Sequence, residues 1–192
     1  RVSGVNNNLS LFGLQANATK AVLTDMMQSA AQSLLQLTGA EGYRRDHIAG
    51  RAVVDSRPFQ IFEGSNDVMY SQIAETILKE MKKEKETNFY TFLSQFELTE
   101  KIAGYYKHIL NFKLNSESLQ RAKVALGKIA ARLITTEFTL DLMEAGFRSD
   151  LVDNAIQVVG NTIAEQVSSV TQLRQIHVIE EYRDGSDWKS GR

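Results

Sequence analysis

Residues 119–143 read LQRAKVALGKIAARLITTEFTLDLM. Leu119, Ala122, Leu126, Ile129, Leu133, Thr136, Leu140 and Met143 recur at alternating steps of three and four, which places them on one face of an α-helix. A repeat near 3.5 residues marks a seam that packs inside a bundle or against a second subunit. Asn115 or Ser116 can cap this helix, and Gly146 ends it.

The same periodicity extends in both directions. Downstream, Ser149 opens a last long helix through Val152, Ile156, Val159, Ile163, Val167 and Val170 to about Ile179, followed by a polar tail over 181–187 that frays. Upstream, Leu98, Ile102, Tyr105/Tyr106 and Ile109/Leu110 mark one helix. Val68/Met69, Ile73, Ile77 and Met81 mark another, with Ser65 or Asn66 as its cap and Asp67 in its first turn. Residues 14–38 place Ala18, Val22/Leu23, Met26/Met27, Ala30/Ala31 and Leu34/Leu35 on a core face that closes at Gly39. No stretch alternates as a strand does. The expected fold is all-α: an antiparallel helical bundle with a second helical bundle. The solvated charge run Lys79–Glu86 is the best boundary between the two, dividing the chain into 1–86 and 87–192.

Composition narrows the function. The 192 residues carry 22 Lys+Arg against 23 Asp+Glu, so no basic excess points to nucleic acid. The absence of Cys excludes disulfides, thiolate-bound metals, iron–sulfur clusters and thiol nucleophiles. His47, His108 and His177 stand singly, without the pair spacing of a metal site, and His177 reads as an edge or core histidine. No run approaches the roughly 18 apolar residues of a membrane span. The 117–145 helix mixes Arg121, Lys123, Lys128 and Arg132 with Glu137, Asp141 and Glu144, which argues against membrane association. A cytoplasmic location is expected. A single Pro fits long helices, and a start without Met suggests that residue 1 is not a natural beginning.

One region breaks the helical pattern. Gly39, Gly42, Gly50, Pro58 and Gly64 fall within 39–65, with room for a short helix around 44–54. Gly39-Ala40-Glu41-Gly42 follows no strand and lacks Gly-Lys-Ser/Thr, so it is neither a Rossmann turn nor a P-loop. In the run Asp55–Val68, Glu63 sits between Phe59, Ile61 and Phe62 and the turn residue Gly64. A carboxylate among aromatics loses hydration and becomes a better proton acceptor, and Gly64 lets backbone approach a ligand. The plainer reading is that Glu63 is an ordinary residue near a helix start, favoured by the helix dipole.

Two segments of this region resemble the carboxy-terminal helical domain of the acyl-CoA dehydrogenase family. Gln36-Leu37-Thr38-Gly39-Ala40-Glu41-Gly42-Tyr43 is similar to the family's Gln-x-x-Gly-Gly-x-Gly-Phe/Tyr turn, with Ala40 in place of the second glycine. Asp55-Ser56-Arg57 and then Gln60-Ile61-Phe62-Glu63-Gly64-Ser65 is similar to Arg-Asp-x-x followed by Ile-Tyr-Glu-Gly-Thr. Val54 stands where an Arg usually precedes the Asp, and Arg51 or Arg57 can compensate. The order and the 27-residue spacing from Gln36 to Glu63 match, and the resemblance covers about residues 6–82.

The resemblance implies an FAD-dependent enzyme that oxidises an acyl-CoA to the 2-enoyl-CoA. Glu63 would be the general base that takes the α-proton. Gln36, Gly39, Ala40 and Gly42 would lie against the FAD of a neighbouring subunit, Ser65 would reach the cofactor through its hydroxyl, and Gly64 would border the substrate. It also implies an electron-transfer flavoprotein as electron acceptor and a homodimer or homotetramer. The family's amino-terminal helical domain and β-rich middle domain have no counterpart here, so the chain reads as part of a larger enzyme, inactive by itself. A non-catalytic helical interaction module and a flavin oxidase of the same superfamily are the alternatives.

Overall fold

The computed structural model describes residues 12–114 and 119–171, with side chains of residues 119–121 left out. The cap at Asn115 or Ser116, the continuation to Ile179, His177 and the 181–187 tail lie outside the described residues, as do the side chains of Leu119 and Arg121. Among the described residues, helices α1 (Gly13–Thr38), α2 (Ile48–Ser56) and α3 (Asn66–Glu84) come first. The short α4 (Phe89–Leu93), α5 (Glu100–Ala103) and α6 (Lys107–Leu110) follow, and then the long α7 (Leu119–Glu144) and α8 (Ser149–Thr171). Single 3₁₀ turns fill Gly39–Tyr43, Arg57–Gln60 and Gly104–Tyr106. The fold is all-α, and the extended pairing among the described residues is an isolated bridge between Asn88 and Lys113.

The seam of α7 explains the architecture. Ala122, Leu126, Ile129, Leu133, Thr136 and Leu140 are all buried, and α7 packs at once against α1, α3 and α8. Each fully buried Leu or Ile contributes about 1.5–3 kcal/mol. Polar contacts set the directions. Asn66 and Tyr70 reach Asp25 while Asn17 reaches Gln72, so α3 runs antiparallel to α1. Lys123 pairs with Glu75 at 2.9 Å and Lys128 approaches Asp67 at 3.8 Å, which sets α7 antiparallel to α3. Lys123 and Lys128 of α7 thus face acids of α3. After α7, Gly146 turns with φ 95° and α8 folds back.

Two close approaches fix the packing. A Cβ at Gly127 would overlap the Tyr70 backbone carbonyl, and one at Gly160 would lie 2.9 Å from Cε1 of Tyr106. The Tyr106 hydroxyl donates to the Ile156 carbonyl at 2.6 Å, tying the middle of the chain to α8.

Some expectations change. The helix expected through Leu98–Leu110 is broken into α5, a 3₁₀ turn at Gly104 and α6, and α4 has no counterpart in the periodicity. Asn88 caps α4 by accepting the Thr91 N–H at 2.9 Å. The core face of α1 is narrower than its apolar pattern: Ala18, Ala21, Val22, Gln28 and Ala31 are buried, whereas Leu23, Met26, Met27 and Leu34 are exposed. The chain reverses after α3 at Lys85, which is left-handed with φ 56°. Residues on both sides of that reversal join one apolar core, from Ala18 to Val170.

Candidate functional site

Residues 57–65 form the link between α2 and α3. Pro58 occupies the first turn of the 3₁₀ segment, and its carbonyl accepts the N–H groups of both Ile61 and Phe62 at 2.9 Å. Glu63 then takes φ 58° and Gly64 φ 99°, so two successive left-handed residues turn the chain into α3. Gly64 meets this at no steric cost, and a Cβ there would touch only Met69, at 3.6 Å. For Glu63 the same conformation costs about 1–2 kcal/mol.

A polar cluster on α1 holds that turn. Asp25 Oδ1 accepts from Asn66 Nδ2 at 2.6 Å and from Gln60 Nε2 at 2.7 Å, while Oδ2 accepts from the Tyr70 hydroxyl at 2.7 Å. Lys20 Nζ donates to the Gly64 carbonyl at 3.0 Å and to Asn66 Oδ1 at 2.9 Å. Asn66 also donates to the Ala21 carbonyl at 3.1 Å. Arg57 joins from outside by donating to Gln60 Oε1 at 2.8 Å. Burial, and then the bond to Asp25, pushes the Tyr70 hydroxyl well above its ordinary range, so it stays a donor. Periodicity finds none of these residues. The available clue is that Lys20 and Asp25 are the only charged residues of α1.

Glu63 itself is exposed, with no hydrogen bond or ion pair among the described residues. The aromatics expected to shield it face solvent too: Phe59 is 57%, Ile61 52% and Phe62 67% exposed. The expected desolvation of Glu63 is therefore not supplied by this chain. Its turn has one side anchored on α1, and no described residue forms a wall on the other.

Ser65 takes the N-cap backbone position of α3 without a side-chain capping bond, which leaves its hydroxyl uncommitted. Gln36, Gly39 and Ala40 are exposed at the end of α1, where Gly39 (φ 63°) donates to the carbonyls of Leu35 and Gln36. Gly42 is buried, and a Cβ there would collide with the Thr38 side chain, so its missing side chain serves the turn's own packing. The structure does not bring the two motifs together. One turn is anchored near Asp25 and the other follows Thr38, about 20 Å apart along the helix axis at 1.5 Å per residue.

A groove of about 770 Å³ between α1, α7 and α8 opens behind Asp25, Gln60 and Arg57, and Glu63 is not in its lining. Among the described residues no group of acids and histidines can hold a metal ion, and no helix is long and apolar enough to cross a membrane.

Comparison with known proteins is consistent with this geometry. Residues 3–78 match the family described as acyl-CoA dehydrogenase, C-terminal domain. Over 61 residues the chain is 39% identical to the mitochondrial isobutyryl-CoA dehydrogenase of Bos taurus, which covers 32% of this chain and 15% of that protein. No solved structure matches the chain. Residues 3–78, which include both turns and the Asp25 cluster, are thus the part of the chain that is similar to an acyl-CoA dehydrogenase C-terminal domain.

Proposed function

We propose that this chain supplies the carboxy-terminal helical part of an FAD-dependent acyl-CoA dehydrogenase, with Glu63 as the general base. The single observation that carries the reading is the strained, anchored turn that presents Glu63 outward, uncommitted, from a segment matched to that family. An α-C–H of a thioester is a weak acid, so its base must be held at the right place and shielded from water. The chain provides the holding, and a covering wall from the rest of the enzyme, closing over Phe59, Ile61 and Phe62, would provide the shielding.

The residues fit the cofactor. Ser65 has a free hydroxyl, and Gln36, Gly39 and Ala40 form an exposed turn whose side chains are uncommitted. The chemistry that FAD would supply when bound is that of an acceptor for the hydride leaving the substrate's β-carbon. Glu63 takes the α-proton at its carboxylate, Gly64 keeps the backbone thin beside the acyl group, Ser65 would hold one cofactor through its hydroxyl, and Gln36 would hold that of a neighbouring subunit. The distance between the two turns suits contacts to two different cofactor molecules, as in a homodimer or homotetramer. An electron-transfer flavoprotein as final acceptor belongs to the same proposal. So does the division into a family segment over 1–86 and a helical extension over 87–192.

Assaying acyl-CoA oxidation by the enzyme that contains this chain tests the reading: Glu63→Gln should abolish it, and a near wild-type rate would refute the base assignment. The exposed apolar run at Phe59–Phe62 also favours a second reading, a helical interaction module. Titrating the 192-residue chain with FAD adds one check, because quenching of flavin fluorescence would exclude the module reading. We expect no quenching of flavin fluorescence, because this chain provides only one side of the site.

A further inference from the structure

We infer that Asp25 is the positioning residue for Glu63, acting as a bracket across the turn that carries it. This inference rests on the reading of Glu63 as base, but its structural half can be tested without that reading.

A non-glycine residue in the left-handed region persists only where its surroundings over-determine it. Glu63 has φ 58°, makes no bond of its own and is exposed, so nothing at Glu63 explains the conformation. The explanation lies three residues to either side. Gln60 precedes the turn and Asn66 follows it, and both donate to the same oxygen of Asp25, at 2.7 and 2.6 Å. One carboxylate oxygen thus fixes the separation of the two ends of a five-residue link. A link that short, with its ends pinned and Pro58 accepting two N–H groups at its entrance, has little conformational freedom left.

Lys20 completes the restraint. Its ammonium draws the Gly64 carbonyl to 3.0 Å and so orients the Gly64–Ser65 peptide, the second peptide after Glu63. Bonds to charged groups are roughly twice as strong as neutral ones, so a carboxylate and an ammonium suit the task. Asp25 touches no part of the proposed reaction; it acts through Gln60 and Asn66.

The test has two arms. In the 192-residue chain, Asp25→Asn removes the charge and one acceptor while keeping the shape. The backbone resonances of Glu63 and Gly64 should then shift, while those of Ile129 and Leu133 in α7 stay in place. Unchanged Glu63 and Gly64 resonances would overturn the bracket. In the full enzyme, Asp25→Asn should lower kcat about 100-fold, the scale of a misplacement near 1 Å. KM should stay near wild type, and Asp25→Glu, which keeps an accepting carboxylate, should recover part of the loss. If Glu63→Gln abolishes turnover but Asp25→Asn keeps full kcat, the positioning role fails alone. If Glu63→Gln keeps full rate, the base reading fails, and the resonance arm still decides the bracket. Should Asp25→Asn not fold, Lys20→Met and Gln60→Met are read in the same way.

Discussion

The α-carbon of Gly127 in α7 lies against the backbone carbonyl of Tyr70 in α3, leaving no room for a Cβ. This contact sets the spacing of the two helices that pack most extensively on each other, and it places Lys128 over the Tyr70 ring at 5.5 Å. Gly127→Ala is therefore expected to destabilise the chain by about 3 kcal/mol, the upper range for overpacking. Gly104→Ala is the control. It has open space and helical backbone, and should be neutral or slightly stabilising. Thermal unfolding of both variants checks this, and equal melting temperatures would contradict it.

Left-handed backbone at Glu63 predicts an unusual order of stabilities. Glu63→Gly removes the steric cost and should be at least as stable as wild type, even though it removes the proposed base. Glu63→Val puts a β-branched side chain in the same conformation and should cost about 1–2 kcal/mol. Urea unfolding orders the three, and a valine variant as stable as the glycine one would show that the turn relaxes.

Glu137 is 1% exposed and accepts the Ile102 N–H at 2.9 Å through Oε2, while Oε1 has no partner among the described residues. Glu137→Ala leaves a buried donor at the start of α5 unsatisfied and should cost about 1–3 kcal/mol. Glu137→Gln keeps an acceptor and should cost less. Amide exchange at Ile102 separates the two, rising in the alanine variant only.

High pH should unfold the chain through its buried phenols. Burial, with a smaller contribution from Tyr105, pushes the Tyr106 hydroxyl up to about 12, and burial raises Tyr70 as well. A raised acid is favoured in its neutral form by the fold. Its contribution is full below the ordinary phenol range and is lost as pH rises through about 12. Helical circular dichroism should hold to pH 10 and then fall together with the last rise of phenolate absorbance. A fall completed well below that window would count against these two tyrosines.

The helices were legible because each buries one face and repeats near 3.6 residues: Ala122, Leu126, Ile129, Leu133 and Leu140 of the α7 seam, Ile73 and Ile77 of α3, and Ile156 and Ile163 of α8 all lie in the core. The segment 87–114 was not legible. Phe89–Leu93 is too short to show a period, and Gly104 interrupts what reads as one helix. The loop motif was visible at Glu63, Gly64 and Ser65, but its anchors Lys20 and Asp25 were not, and Asn66 was read only as a helix cap. A hydrogen bond between residues 41 positions apart leaves no local pattern.

Taken by itself, the amino-acid order determined that the chain is all-helical, where its long helices run and which turn resembles a dehydrogenase loop. Those properties depend on spacing within one segment. The tertiary structure decided that α7 packs at once on α1, α3 and α8, that half the apolar residues of α1 stay exposed, and that Glu63 is held from α1 rather than buried by its aromatic neighbours. Those outcomes depend on which faces meet in space, and burial and polar pairing between distant segments are properties of the assembled fold.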